Sequence, residues 1–137
     1  MSQENVELHR SAIDAWNRRD LQAWLAFADP EVEIVPFNVE MERSAYQGHA
    51  GLRRFWEDYL TVFPDFKVGI DEIRDHGSVT VARARLQGHG TESDASFEQP
   101  TWQVVAWRNK KCVWWRSFRS EVEAVEAAGR RGGERSA

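Results

Sequence analysis

The second half of the chain is almost entirely strand-like, and that constrains the fold more than any other feature. Residues 66–73, 78–89, 95–107 and 111–120 each alternate or run apolar and are rich in β-branched and aromatic side chains. Only Asp75-His76-Gly77, residues 88–94 and Arg108-Asn109-Lys110 separate them. Runs of this kind divided by Gly, Asp and Asn turns predict four antiparallel strands joined by hairpins. A sheet of that extent presents a broad apolar face, and some other element has to cover it.

The first half supplies the cover. Over residues 5–17, Val6, His9, Ile13 and Trp16 recur at helical spacing, with Glu7, Arg10 and Asp14 opposite. Asp20 stands where an N-cap would, and Leu21, Trp24, Leu25 and Ala28 predict a second short helix stopping at Asp29-Pro30, because the residue before proline avoids the helical region. A short strand follows in Val32-Glu33-Ile34-Val35, which Pro36 confines to a sheet edge or to its own end. Leu52, Phe55, Trp56, Tyr59, Leu60 and Phe63 then make the widest apolar stripe in the chain, a third helix ending at Pro64. Residues 121–128 predict a last helical turn or two with a merely charged surface, closed by Gly129, and residues 130–137 a disordered tail. With no repeat and no linker, residues 1–129 read as one domain. The order predicts an α+β fold, a curved antiparallel sheet wrapped as a cone around three helices, with room for a cavity.

Composition narrows the partners. A formal charge of −4 with no basic block argues against a nucleic-acid footprint, which needs clustered positive charge. The single cysteine, Cys112, allows no internal disulfide and fits a reducing cytoplasm. The polar start Met-Ser-Gln-Glu-Asn carries no signal-peptide pattern, and no run is apolar and long enough to cross a membrane. His9, His49, His76 and His89 are scattered without metal-ligand spacing, so neither a metal nor any other cofactor is expected.

The phrases Asn17-Arg-Arg-Asp20, Phe27-Ala-Asp-Pro-Glu-Val-Glu33, Tyr46-Gln-Gly48, Gly88-His-Gly-Thr-Glu-Ser93 and Val125-Glu-Ala-Ala-Gly129 are turns and caps. In this order, over about residues 4–129, the chain resembles the SnoaL-like branch of the nuclear-transport-factor-two-like superfamily. The resemblance implies a cystatin-like topology with an internal pocket. It does not imply one reaction, since the superfamily spans ketosteroid isomerase, polyketide cyclases, epoxide hydrolases, dehydratases and non-catalytic scaffolds. Isomerase-like members carry a tyrosine, a base aspartate and a proton-donating acid at positions that fall here on Ala12, Val35 and near Gln103. The histidine and acid of the cyclases fall on Gln103 and Ser117, and the Arg-x-Asp of the epoxide hydrolases on Arg83-Ala84-Arg85. No catalytic set of the family is matched.

What the resemblance implies is a pocket lined by Trp16, Val35, Phe37, Tyr46, Phe55, Trp56, Tyr59, Gln103, Val105, Trp115 and Ser117. Thr101, Gln103, Val105 and Trp107 share a face turned to the cavity, and Val113, Trp115, Ser117 and Arg119 share another beside it. A polar amide among apolar neighbours must be satisfied, either by a ligand or by a buried partner. The aromatic group reads equally as pocket wall or as ordinary core. His9 and His49 are the only candidates for a catalytic base, each equally readable as a structural histidine. Arg83 and Arg85 point outward on the convex face, where a homodimer would form. The expected function is binding of a small apolar or aromatic molecule with the reaction unknown. The alternatives are a cyclase, isomerase or dehydratase of secondary metabolism, or a non-catalytic dimeric module.

Overall fold

The computed structural model describes residues 2–35, 46–89 and 96–136. Helix α1 (Ser2–Asn17) buries Val6, His9, Ile13 and Trp16, the stripe its periodicity predicts. Two residues beyond its end, the Arg19 backbone takes the left-handed conformation (φ 62°). The Arg19 guanidinium donates to the carbonyls of Trp16, Pro64 and Phe66, pinning the corner to the segment after the third helix. The Asn17 amide donates to Val68 O (2.9 Å) and accepts from Val68 N (3.0 Å), as a neighbouring strand would. Asp20 caps α2 (Leu21–Ala26) by accepting from Ala23 N at 3.1 Å.

The strand β1 (Ala28–Val35) begins before Pro30, so the second helix ends earlier than the proline predicts. Pro30 is exposed and lies in the strand itself. After β2 (Tyr46–Gln47), Gly48 turns the chain at φ 68° into α3 (Gly48–Val62), where a Cβ would come within 3.1 Å of Pro30 O. The four long strands are β3 (Lys67–Asp75), β4 (Val79–His89), β5 (Ser96–Arg108) and β6 (Lys111–Phe118), close to their predicted limits. Asn109 and Lys110 both have positive φ between β5 and β6, the geometry of a two-residue hairpin turn.

These strands form one curved, unclosed six-stranded sheet in the order β2-β1-β6-β5-β4-β3. All neighbours are antiparallel except β1 and β6, which run parallel with Ile34 opposite Trp115 and Val35 opposite Arg116. Helices α1, α2 and α3 cover the concave face with a core that includes Trp16, Trp24, Leu52, Phe66, Val105 and Trp107. The architecture is thus the expected α+β cone.

The convex face differs from expectation. The last helix does not close at Gly129: α4 spans Glu121–Ser136, started by Ser120, whose hydroxyl accepts from Glu123 N. Ala124, Ala127 and Ala128 are buried against Val79, Val81, Val104, Ala106, Trp114 and Phe118. The outward strand residues expected to seek a second copy of the chain are therefore covered in part by the chain's own helix. Arg83 and Arg85 do point outward, where both pair with Asp71 and Arg85 also with Glu98.

Candidate functional site

Alternation along β4, β5 and β6 sends Leu86, Gln103, Trp115 and Ser117 to the concave side, where α1 and α3 meet the sheet. Between these layers lies a cavity of about 70 Å³. Its walls are apolar, formed by Ile13, Trp16 and Trp24 from the first two helices, Phe55 and Tyr59 from α3, and Ile34, Phe66, Val68, Leu86 and Trp115. Gln103 and Ser117, direct partners across the β5–β6 ladder, give it a polar end.

The aromatic wall is locked edge to face. Trp16 packs against Trp24, Phe55, Trp56 and Phe66 with ring centroids 5.1–5.6 Å apart. Phe55 stacks on Tyr59 at 4.4 Å. Such contacts hold large rings in fixed orientations. The Trp16 indole N–H, buried in this wall, has no hydrogen-bond partner among the described residues.

Behind Gln103 stands a buried polar chain. His9 is fully buried, with Nε2 3.0 Å from Gln103 Oε1 and Nδ1 2.8 Å from Thr80 Oγ1. Trp107 Nε1–H donates to the same threonine oxygen at 2.9 Å. The Trp115 ring packs against the imidazole at 4.9 Å. Desolvation dominates here and, with some help from the Arg10 charge, lowers the His9 pKa to about 4 despite the Gln103 hydrogen bond, so the ring is neutral at pH 7.

Of the residues predicted to line a pocket, Trp16, Phe55, Tyr59, Gln103, Trp115 and Ser117 surround this cavity. Val35 does not, because β1 presents Ile34 to it and the strand period turns Val35 to the opposite face. Tyr46 is buried with its hydroxyl on Asp58, Trp56 packs outside Trp16 and Trp24, and Val105 is sealed in the core. Phe37 lies outside the described residues. Val113 is the extra residue of a bulge opposite Ala106 and Trp107, so it joins the convex layer rather than the face of Trp115 and Ser117.

The two candidate bases fare differently. His49 sits on the first turn of α3, away from the cavity, and donates through Nε2 to Ala28 O at 2.9 Å. His9 reaches the cavity only through Gln103. Sequence reasoning missed Ile13, Trp24, Ile34, Phe66, Val68 and Leu86 in the wall, and Thr80 behind it. The period of β4 carried a signal for Leu86, and that of α1 for Ile13. Cys112 belongs to the core, and burial pushes its thiol up to about 12, which leaves it inert. Among the described residues no group of acidic, histidine or cysteine side chains is arranged to hold a metal, and no helix is long and apolar enough to cross a membrane.

The same architecture recurs in solved structures of low sequence identity. An NTF2-like protein of unknown function from Burkholderia pseudomallei K96243 superimposes with a TM-score of 0.77 at 19% identity, over 90% of this chain and 95% of that one. TerC, co-crystallised with polyporic acid, gives 0.76 at 18% identity over 92% and 98%. A hypothetical protein of ketosteroid isomerase-like fold from Catenulispora acidiphila DSM 44928, in complex with trimethylamine, gives 0.74 at 14% over 90% and 92%. These likenesses establish the fold alone. No curated protein matches the chain in sequence. The family model of the SnoaL-like domain matches residues 9–115, from the buried histidine of α1 to the tryptophan of β6 at the cavity wall, and the chain belongs to that family.

Proposed function

We propose that the protein binds a small, mainly apolar molecule in the cavity between α1, α3 and the concave face of the sheet, with Gln103 and Ser117 as its polar anchors. The observation that carries this reading is a void with aromatic walls that ends on two neighbouring polar side chains. An aromatic wall with few, convergent polar groups is the common composition of a small-molecule site. The volume of about 70 Å³ keeps the ligand small and excludes a large polycycle. That TerC was crystallised with polyporic acid and the Catenulispora protein with trimethylamine is consistent with a fold that admits small ligands.

Among the described residues, the wall of the cavity contains no carboxylate, histidine, lysine or cysteine. A base must come within hydrogen-bond reach of the proton it removes. Cyclase, isomerase or dehydratase chemistry through His9 or His49 therefore has less support than binding.

The test fills the void. Ser117→Leu adds bulk at the polar end without touching the His9 chain. Quenching of tryptophan fluorescence by 1-indanone, titrated into parent and variant, should show binding in the parent and at least a roughly tenfold loss in the variant, as expected when a ligand must displace a side chain. Equal binding by both forms, or none by the parent, would overturn the reading. Gln103→Leu is the poorer probe, because it removes the partner of a buried imidazole and so weakens the empty protein too.

A further inference from the structure

We infer that the Trp107–Thr80–His9 chain holds the Gln103 amide with its N–H2 group toward the cavity, so that the site selects ligands presenting a hydrogen-bond acceptor. The inference rests on the cavity being the binding site. It follows from donor and acceptor chemistry along the chain. An indole N–H can only donate, so Trp107 fills one lone pair of Thr80 Oγ1. Thr80 is fully buried, and His9 Nδ1, 2.8 Å away, is the acceptor available to its hydroxyl proton. The opposite sense, with Nδ1–H donating, would strand that proton in the core, at the cost of a buried unmade hydrogen bond.

The threonine proton therefore goes to Nδ1, and the neutral ring carries its own proton on Nε2. Nε2–H donates to Gln103 Oε1 at 3.0 Å. With its oxygen engaged, the amide turns its two N–H donors toward the void that Gln103 lines. A separate observation has the same sense. Trp16 lines the same cavity, is 4% exposed, and its indole N–H has no partner among the described residues. The Gln103 amide and the Trp16 indole are thus both donors. The hydroxyl of Ser117 serves either way. A neutral ring bearing a carbonyl or ether oxygen satisfies this wall, whereas one bearing an N–H leaves donors facing donors. His9 is thus a positioning residue that sets the polarity of a site it does not touch.

Two measurements test the inference. Long-range proton–nitrogen correlation spectra of the 15N-labelled protein should show His9 protonated on Nε2 and bare on Nδ1, unchanged between pH 7 and pH 5. The reverse tautomer would overturn the assignment. Titration calorimetry with three molecules of nearly one shape, 1-indanone, indole and indane, reads the polarity itself. The parent should prefer 1-indanone over indole roughly tenfold, the scale on which an unmatched buried donor is rejected. Thr80→Val and His9→Leu should bring that ratio toward one, while Thr80→Ser, which restores the hydroxyl, keeps it. A merely structural role would weaken all three ligands alike. Should His9→Leu not fold, Thr80→Val and the spectra decide. Binding without preference, or a ratio that survives Thr80→Val, sinks the inference and leaves the cavity reading standing. Failure of all three ligands to bind sinks both.

Discussion

The two faces of the sheet are covered by different means. On the concave face, Trp16, Trp24, Phe55 and Phe66 meet edge to face and leave a void ending on Gln103. On the convex face, the alanines of α4 lie flush on Val79, Val81 and Val104. Small side chains let a helix approach a sheet closely. The concave face keeps an apolar void between its rings, whereas on the convex face, where the alanines also meet Trp114 and Phe118, open space lies at the polar margins of the interface. The concave side also encloses an ionisable group, His9, and the convex cluster contains none.

Acid should therefore strike one face first, with the largest effect of the changes considered. The folded His9 pKa of about 4 lies below its ordinary 6.5, so the unfolded chain binds the proton more readily than the folded one. Stability contributed by the neutral ring is complete above pH 6.5 and is lost as the pH falls toward 4, by roughly 3 kcal/mol over that window. Urea midpoints of the parent and of His9→Phe at pH 7 and pH 5 measure it, the parent showing the steeper decline. Equal slopes would mean that the buried imidazole does not govern the acid response.

Added volume separates the faces next. Ala124→Leu should cost about 2 kcal/mol, since a closed interface must part to admit the larger side chain. Ser117→Leu adds comparable bulk beside the void and should change stability by less than about 1 kcal/mol. Thermal unfolding of the pair tests this, and similar losses would show that both faces are equally tight. Smallest of all, Val122→Glu should shift the midpoint by under about 0.5 kcal/mol, because Val122 is 69% exposed on the outer side of α4.

What was legible in the sequence follows from how local each signal is. The four long strands were readable because their period and their turns are local, with Asn109-Lys110 lying where the hairpin needs positive φ. Gln103 and Ser117 were readable from alternation. The α4 interface was not, because its apolar-looking residues mislead: Val122 and Val125 face solvent, while the contact is made by alanines that barely raise the apolar signal. The family position puts Val35 on the cavity, and one residue of offset on a strand exchanges faces, so Ile34 stands there instead. Thr80 was invisible as a partner of His9 because β4 and α1 meet only in the folded chain.

The parallel pairing of β1 with β6 joins a strand from the helical half to the final strand of the sheet. During synthesis from the N-terminus, β1 emerges long before its neighbour, and α1 to α3 have no complete floor on which to settle. A nascent chain halted before Lys111 would hold both helices and hairpins yet lack the strand that sews them together. Productive assembly must wait for β6, with the aromatic stripes of α1 and α3 exposed meanwhile. A circular permutant opened in the Asn109-Lys110 turn, with the original ends linked, would deliver β6 first and shorten that vulnerable interval.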